Sequence, residues 1–201
     1  MTTRMPEEAL RTQLAAISRR AYDRGLVRGS GGNVSARLDE QHLLITPSGV
    51  TLGDTTPQNI MKVNLDMGEW LPNESYVPSK ETGFHAEIYQ ARPDVNAVIH
   101  CHPPHATAYA VRQVDIPYVT DAAFKQPPMP HVSFFPSGSE ELARKVGEAA
   151  RSRDDFRVMM LDEHGIIAVG TDLLQAFIFA DLAEEMAEIA FLASLLAPHR
   201  L

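Results

Sequence analysis

The residues best suited to chemistry lie in Ile99-His100-Cys101-His102. On a strand, side chains two apart leave the same face, so His100 and His102 can address one ion while Cys101 points away. A His-x-His pair is weak evidence alone and needs partners. One candidate is His164, which follows an apolar run at 158–161 and precedes Gly165, where a strand-end side chain can reach inward. Another is Glu81, which opens a helix in Pro78-Ser79-Lys80-Glu81. The bland alternatives are a turn histidine and a solvated acid favoured by the helix dipole. If His164 and Glu81 did join His100 and His102 on one divalent cation, the donors would suit zinc, manganese or cobalt. Three imidazoles and a labile carboxylate leave room for a substrate to chelate through adjacent carbonyl and hydroxyl oxygens, with a Lewis acid stabilising the resulting enediolate. Glu81, near the ion but not locked to it, would then move a proton at the neighbouring carbon.

A second kind of chemistry is anion binding. Gly29-Ser30-Gly31-Gly32-Asn33-Val34-Ser35 and Thr46-Pro47-Ser48-Gly49 expose backbone N–H groups and small donors at tight turns, and Ser79-Lys80 adds a hydroxyl, a cation and a helix amino terminus. Such turns together can cradle a phosphate. Singly, each has the composition of an ordinary turn.

These residues need a scaffold. Pro6 opens a helical pattern with Leu10, Leu14, Ile17 and Ala21 on one face, and Gly25 stops it. Strands are expected at 33–38, 42–46 and 61–65, and a helix at 82–91. Pro93-Asp94 turns the chain into a strand at 95–102, which Pro103-Pro104 ends, letting a short helix begin near His105. Residues 126–130 read as loop. Beyond them come a strand at 132–135, a helix at 140–151, strands at 158–161 and 166–169, and a long helix at 172–196 capped by Thr171. Short connections between many strands, with helices at both ends, predict an α/β sandwich formed as a single domain over residues 1–201.

Composition narrows the partners. With 26 acidic against 18 basic residues, a formal charge of −8 argues against a nucleic-acid or anionic-membrane surface. The lone cysteine, Cys101, permits no intrachain disulfide and fits a reducing compartment. No apolar run approaches the ~18 residues of a membrane span, and the expected location is the cytoplasm.

The order Gly-Gly-Asn-Val-Ser, Thr-Pro-Ser-Gly, Pro-Ser-Lys-Glu with Phe84, His85 and Tyr89, then His100-Cys101-His102 and Glu163-His164-Gly165 resembles the class II aldolase/adducin family over about residues 25–190. The resemblance implies a three-layer α/β/α sandwich of the nine-stranded type with a mainly antiparallel central sheet, assembled as a homotetramer with active sites between subunits. It implies a metal on His100, His102 and His164, with Glu81 as a fourth ligand or as the acid/base, and it puts Asn33, Ser48, Gly49 and Ser79 at a substrate phosphate. The implied reaction is aldol cleavage of a phosphorylated ketose, of the L-fuculose-1-phosphate type, to dihydroxyacetone phosphate and an aldehyde. Two departures bear on it. Lys80 stands where fuculose-phosphate aldolases usually have a second serine, and its ammonium could hold an extra carboxylate. Pro-Ser-Lys-Glu and Gly68-Glu69-Trp70-Leu71 are similar instead to the family's 3-oxo-tetronate 4-phosphate decarboxylases. The aldolase proton-donor tyrosine has Tyr118 and Asp121 as its nearest counterparts. A non-catalytic adducin-like interaction module is a third possibility, against which the intact histidine set weighs. Of the other histidines, His42 and His199 are expected to be exposed, His85 to pack or hydrogen-bond on its helix, His105 to start a helix, and His131 to be structural or to line a neighbouring subunit's site.

Overall fold

The computed structural model describes residues 5–66, 69–70 and 75–196. His199 lies outside them, as do Gly68 and Leu71 of the Gly-Glu-Trp-Leu stretch. Seven strands form one sheet: β1 (Asn33–Arg37), β2 (His42–Ile45), β3 (Met61–Asn64), β4 (Ala97–Cys101), β5 (His131–Val132), β6 (Val158–Leu161) and β7 (Gly165–Gly170). Their spatial order is β3-β2-β1-β4-β7-β6-β5, and every pairing is antiparallel except β5 with β6. The helices are α1 (Glu7–Asp23), α2 (Thr82–Ala91), α3 (Pro104–Arg112), α4 (Asp121–Phe124), α5 (Glu140–Ser152) and α6 (Leu173–Leu195).

The pleat divides the strands between two cores. Val34, Ala36, Ile99, Cys101, Ile166 and Ala168 pack with α1, α3 and α6. Leu43, Ile45, Val98, Met159, Ile167 and Val169 pack with α2 and α5 on the opposite face. The result is the expected α/β/α sandwich. Central β4 is buried along its whole length, as a strand covered on both faces must be. On α5, Leu142, Val146 and Ala150 recur every four residues to give one buried stripe, and Ser139 caps the helix by accepting the Leu142 amide. Truncating Leu142 to Ala would cost about 2–5 kcal/mol.

Several expectations need correction. Seven strands, rather than nine, make up the sheet among the described residues. Single-residue bridges join Pro47 to Pro78 and Val63 to Trp70, and prolines, having no N–H, cannot extend a ladder. The strand expected at 132–135 stops at Val132, because its partner β6 ends at Leu161 and turns into β7. The cap of α6 is Asp172, whose carboxylate accepts the Gln175 amide, while Thr171 pairs with the Gln175 side chain. The short helix α4, capped by Thr120, and a 3-10 turn at Leu52–Asp54 were not anticipated.

Candidate metal centre

His100 shares a face with Val98 and so points to the α2 side of the sheet, opposite Asn33 on β1. Strand β4 ends at Cys101, which leaves His102 just past it, its amide donating to the Leu26 carbonyl. His164 arrives from the three-residue connection between β6 and β7. Glu163 there has φ 58, a left-handed conformation costing a non-glycine residue roughly 1–2 kcal/mol. Two glycines permit the close approach. A Cβ on Gly32, whose φ is +73, would lie 2.8 Å from the His100 carbonyl, and one on Gly165 would lie 2.6 Å from the His102 ring.

The ligand atoms of His100, His102 and His164 all fall within 4.8 Å of one another. His100 Nδ1 donates to the Ile166 carbonyl at 3.0 Å, which fixes its tautomer and leaves Nε2 as a lone pair aimed inward. His100 and His102 Nε2 atoms stand 2.9 Å apart. Glu81, at the start of α2, brings Oε2 to 3.3 Å from His100 Nε2 and Oε1 to 3.4 Å from His164 Nε2. Ligands around a tetrahedral zinc are spaced by about 3.4 Å, so this donor set fits a divalent cation.

Electrostatics agree. Burial pushes His100 down to about 3, against the pull of the Glu81 carboxylate. His102 and His164 are also held below the usual imidazole range, chiefly by burial. Neutral imidazoles are what a cation needs. For Glu81, burial alone would favour the neutral acid, but His100, hydrogen bonds from Ser137 and Asn33, and His164 together bring it down to about 2. It is therefore an ionised carboxylate, only 5% exposed, facing three nitrogen donors.

The description "Class II Aldolase and Adducin N-terminal domain" belongs to a family whose sequence pattern matches residues 12–191. This chain belongs to that family. It is 35% identical to an L-fuculose phosphate aldolase of Methanococcus maripaludis over 182 residues, covering 90% of this chain and 96% of the relative. It is 32% identical to the 3-oxo-tetronate 4-phosphate decarboxylase of Escherichia coli strain K12 over 192 residues, covering 92% and 88%. Among solved structures, YgbL of Escherichia coli superposes with a TM-score of 0.85 at 30% identity, covering 97% of this chain and 94% of that one.

Other class II aldolase candidates fall in two places. Ser48 and Ser79 sit on neighbouring segments, since the Ser48 amide donates to the Val77 carbonyl and the Ser79 amide to that of Thr46. Gly49, at φ +76, has open space beside its Cα. Lys80 shares a small hollow with Glu81 and Gly138, and its charge contributes to the low His164 value. Asn33 is drawn into the floor, where its amide nitrogen donates to Glu81 Oε2 at 2.8 Å. An amide nitrogen carries two donors, and Glu81 takes one. Tyr118 and Asp121 do not join the histidines within one chain: the Tyr118 hydroxyl donates to the Pro127 carbonyl at 2.7 Å, and Asp121 pairs with Lys125. His131 bonds Asp162 at 2.7 Å and lines a hollow of about 330 Å³ with Tyr118. His105 starts α3 as expected, bonded to Glu184. Sequence reading missed Ser137, whose hydroxyl donates to Glu81 Oε1 at 2.6 Å, and nothing in its loop position 56 residues away signals this. Ser35 and Tyr89 were named in the sequence, but not as the partners that stand behind His85. The signal for Ser35 was present: it lies two after Asn33 on β1 and so shares its face.

Proposed function

We propose that this protein is a divalent-metal-dependent carbon–carbon lyase that cleaves a phosphorylated ketose, of the L-fuculose-1-phosphate type, into dihydroxyacetone phosphate and an aldehyde. The observation that carries the reading is geometric: the ligand atoms of His100, His102 and His164 lie within 4.8 Å of one another, and the buried Glu81 carboxylate stands 3.3 Å from His100 Nε2 and 3.4 Å from His164 Nε2. His100, His102 and His164 would hold the cation, with Glu81 as a displaceable fourth ligand, and zinc suits these donors best. A bound divalent cation supplies Lewis acidity at the substrate's carbonyl and hydroxyl oxygens. The protein's own residues do the rest. Glu81 moves the proton at the carbon beside the carbonyl, its carboxylate oriented by the hydrogen bonds it accepts from Asn33 and Ser137. Ser48, Gly49, Ser79 and the second amide hydrogen of Asn33 form the phosphate set. Tyr118 or Asp121 would serve as proton donor from a neighbouring subunit. Exposed Ile178, Ile189, Phe191, Leu192 and Leu195 on α6 supply an apolar surface for the homotetramer this requires. The whole chain acts as one domain, in the cytoplasm; no helix among the described residues is long and apolar enough to cross a membrane.

A second reading is decarboxylation of a phosphorylated oxo-acid at the same centre. It is favoured by Lys80, whose charge reaches His164 and would receive a substrate carboxylate. The non-catalytic module is disfavoured by the same centre, which an interaction domain would not need. Incubation of the zinc-loaded protein with a panel of phosphorylated ketoses and phosphorylated oxo-acids decides. Aldehyde and dihydroxyacetone phosphate without carbon dioxide support the aldolase, whereas carbon dioxide from an oxo-acid supports the decarboxylase.

A further inference from the structure

Behind Glu81 a series of polar side chains runs inward through the α2 face. Asn33 Nδ2 lies 2.8 Å from Glu81 Oε2, His85 Nε2 lies 2.5 Å from Asn33 Oδ1, and Ser35 Oγ lies 2.7 Å from His85 Nδ1 and 2.8 Å from the Tyr89 hydroxyl. All five residues are at most 5% exposed, and Phe84 stacks on the His85 ring at 4.8 Å. Burying so many polar groups is costly unless every donor finds an acceptor.

One assignment satisfies them all. A carboxylate only accepts, so Asn33 must turn its nitrogen to Glu81 and its oxygen to His85. His85 must then carry its hydrogen on Nε2, leaving Nδ1 to accept from the Ser35 hydroxyl. Ser35 in turn accepts from Tyr89, the last donor of the series. The two oxygens of Glu81 thereby differ: Oε2 is tied to this buried series, whereas Oε1 is held by Ser137 on an exposed loop.

We propose that His85 is a positioning residue, set in its Nε2–H tautomer by Ser35 and Tyr89, that pins the Asn33 amide and so anchors Glu81 Oε2, leaving Oε1 to move the proton. This rests on the reading of Glu81 as the proton-transfer group. Without the His85 N–H, the Asn33 amide is free to turn over and present its oxygen to the carboxylate, which would swing away from the histidines.

The test has two arms on the purified full-length chain. Histidine-labelled nitrogen NMR, with the His85 resonance assigned by its loss in His85→Gln, reads the tautomer with and without zinc and independently of any turnover. The neutral Nε2–H form is expected, and the Nδ1–H form would overturn the proposal. In kinetics, His85→Leu should lower kcat about tenfold, with KM and bound zinc little changed. His85→Gln, which restores an N–H donor, should recover most of that loss. Wild-type kcat in a folded His85→Leu protein would also overturn the proposal. If that variant does not fold, Ser35→Ala replaces it: the His85 ring should then populate both tautomers and kcat should fall, and an unchanged tautomer would count against the series. Should no substrate be turned over at all, the functional reading fails while the tautomer still decides this one.

Discussion

Glu81 separates two regions of opposite construction. On its Oε2 side stand Asn33, His85, Ser35 and Tyr89, all buried and bonded to one another in sequence. On its Oε1 side stand Ser137 and the rim histidine His164, and Lys80 lines a hollow with Glu81. The floor is carried by strand β1 and helix α2, so its geometry is fixed before any ligand arrives. The rim is built from loops, where donors are cheap to expose and free to exchange partners. The contrast is what proton transfer beside a cation demands: a carboxylate held firmly from behind and loosely in front.

The contrast can be broken or sharpened by substitution. The largest effect is expected from His100→Ala combined with His102→Ala, which leaves too few donors to hold a cation. Elemental analysis should find the ion gone and turnover at background; full retention of metal would remove the ligand assignment. Next comes Gly165→Ala, whose Cβ would meet the Cys101 carbonyl at 2.5 Å and the His102 ring at 2.6 Å. Displacing a ligand this way should weaken metal affinity about 10- to 100-fold in a chelator competition. On the rim, Ser79→Ala should raise KM for a phosphorylated substrate roughly tenfold more than for its unphosphorylated analogue, as expected for a lost bond to an anion. Equal effects on both would count against a phosphate pocket. Ser137→Ala should lower kcat only about fivefold, near 1 kcal/mol, because water can replace an exposed hydroxyl. A loss as large as that of His85→Leu would erase the distinction between floor and rim. The smallest effect is expected far from both: Asp172→Ala removes the α6 cap, costing about 1 kcal/mol in denaturant unfolding with turnover unchanged.

The sequence carried the site's outline for reasons of local geometry. His100 and His102 obey the two-residue period of a strand, and Glu81 and His164 sit at element ends. Helix α1 was legible from the apolar spacing of Leu10, Leu14, Ile17 and Ala21 between Pro6 and Gly25, and α2, α5 and most strands stand close to where they were expected. Strand β5 was overextended because its length is set by where β6 stops, which Phe134 and Phe135 do not reveal. The roles of Ser137 and of the series behind His85 depend on contacts between elements 48 to 56 residues apart, and no local pattern encodes them. Asn33 is the instructive case. Its place in a glycine-rich turn reads as anion binding, yet its register opposite His100 puts its amide against the carboxylate.

The most direct test of the whole account is Glu81→Gln, with turnover and bound metal measured on the same preparation. The amide keeps the shape of the side chain but cannot accept the proton. With His100, His102 and His164 intact, metal content should stay near wild type while turnover falls by roughly two to four orders of magnitude. More than about a tenth of wild-type turnover with metal bound would contradict the account and assign the proton to another base.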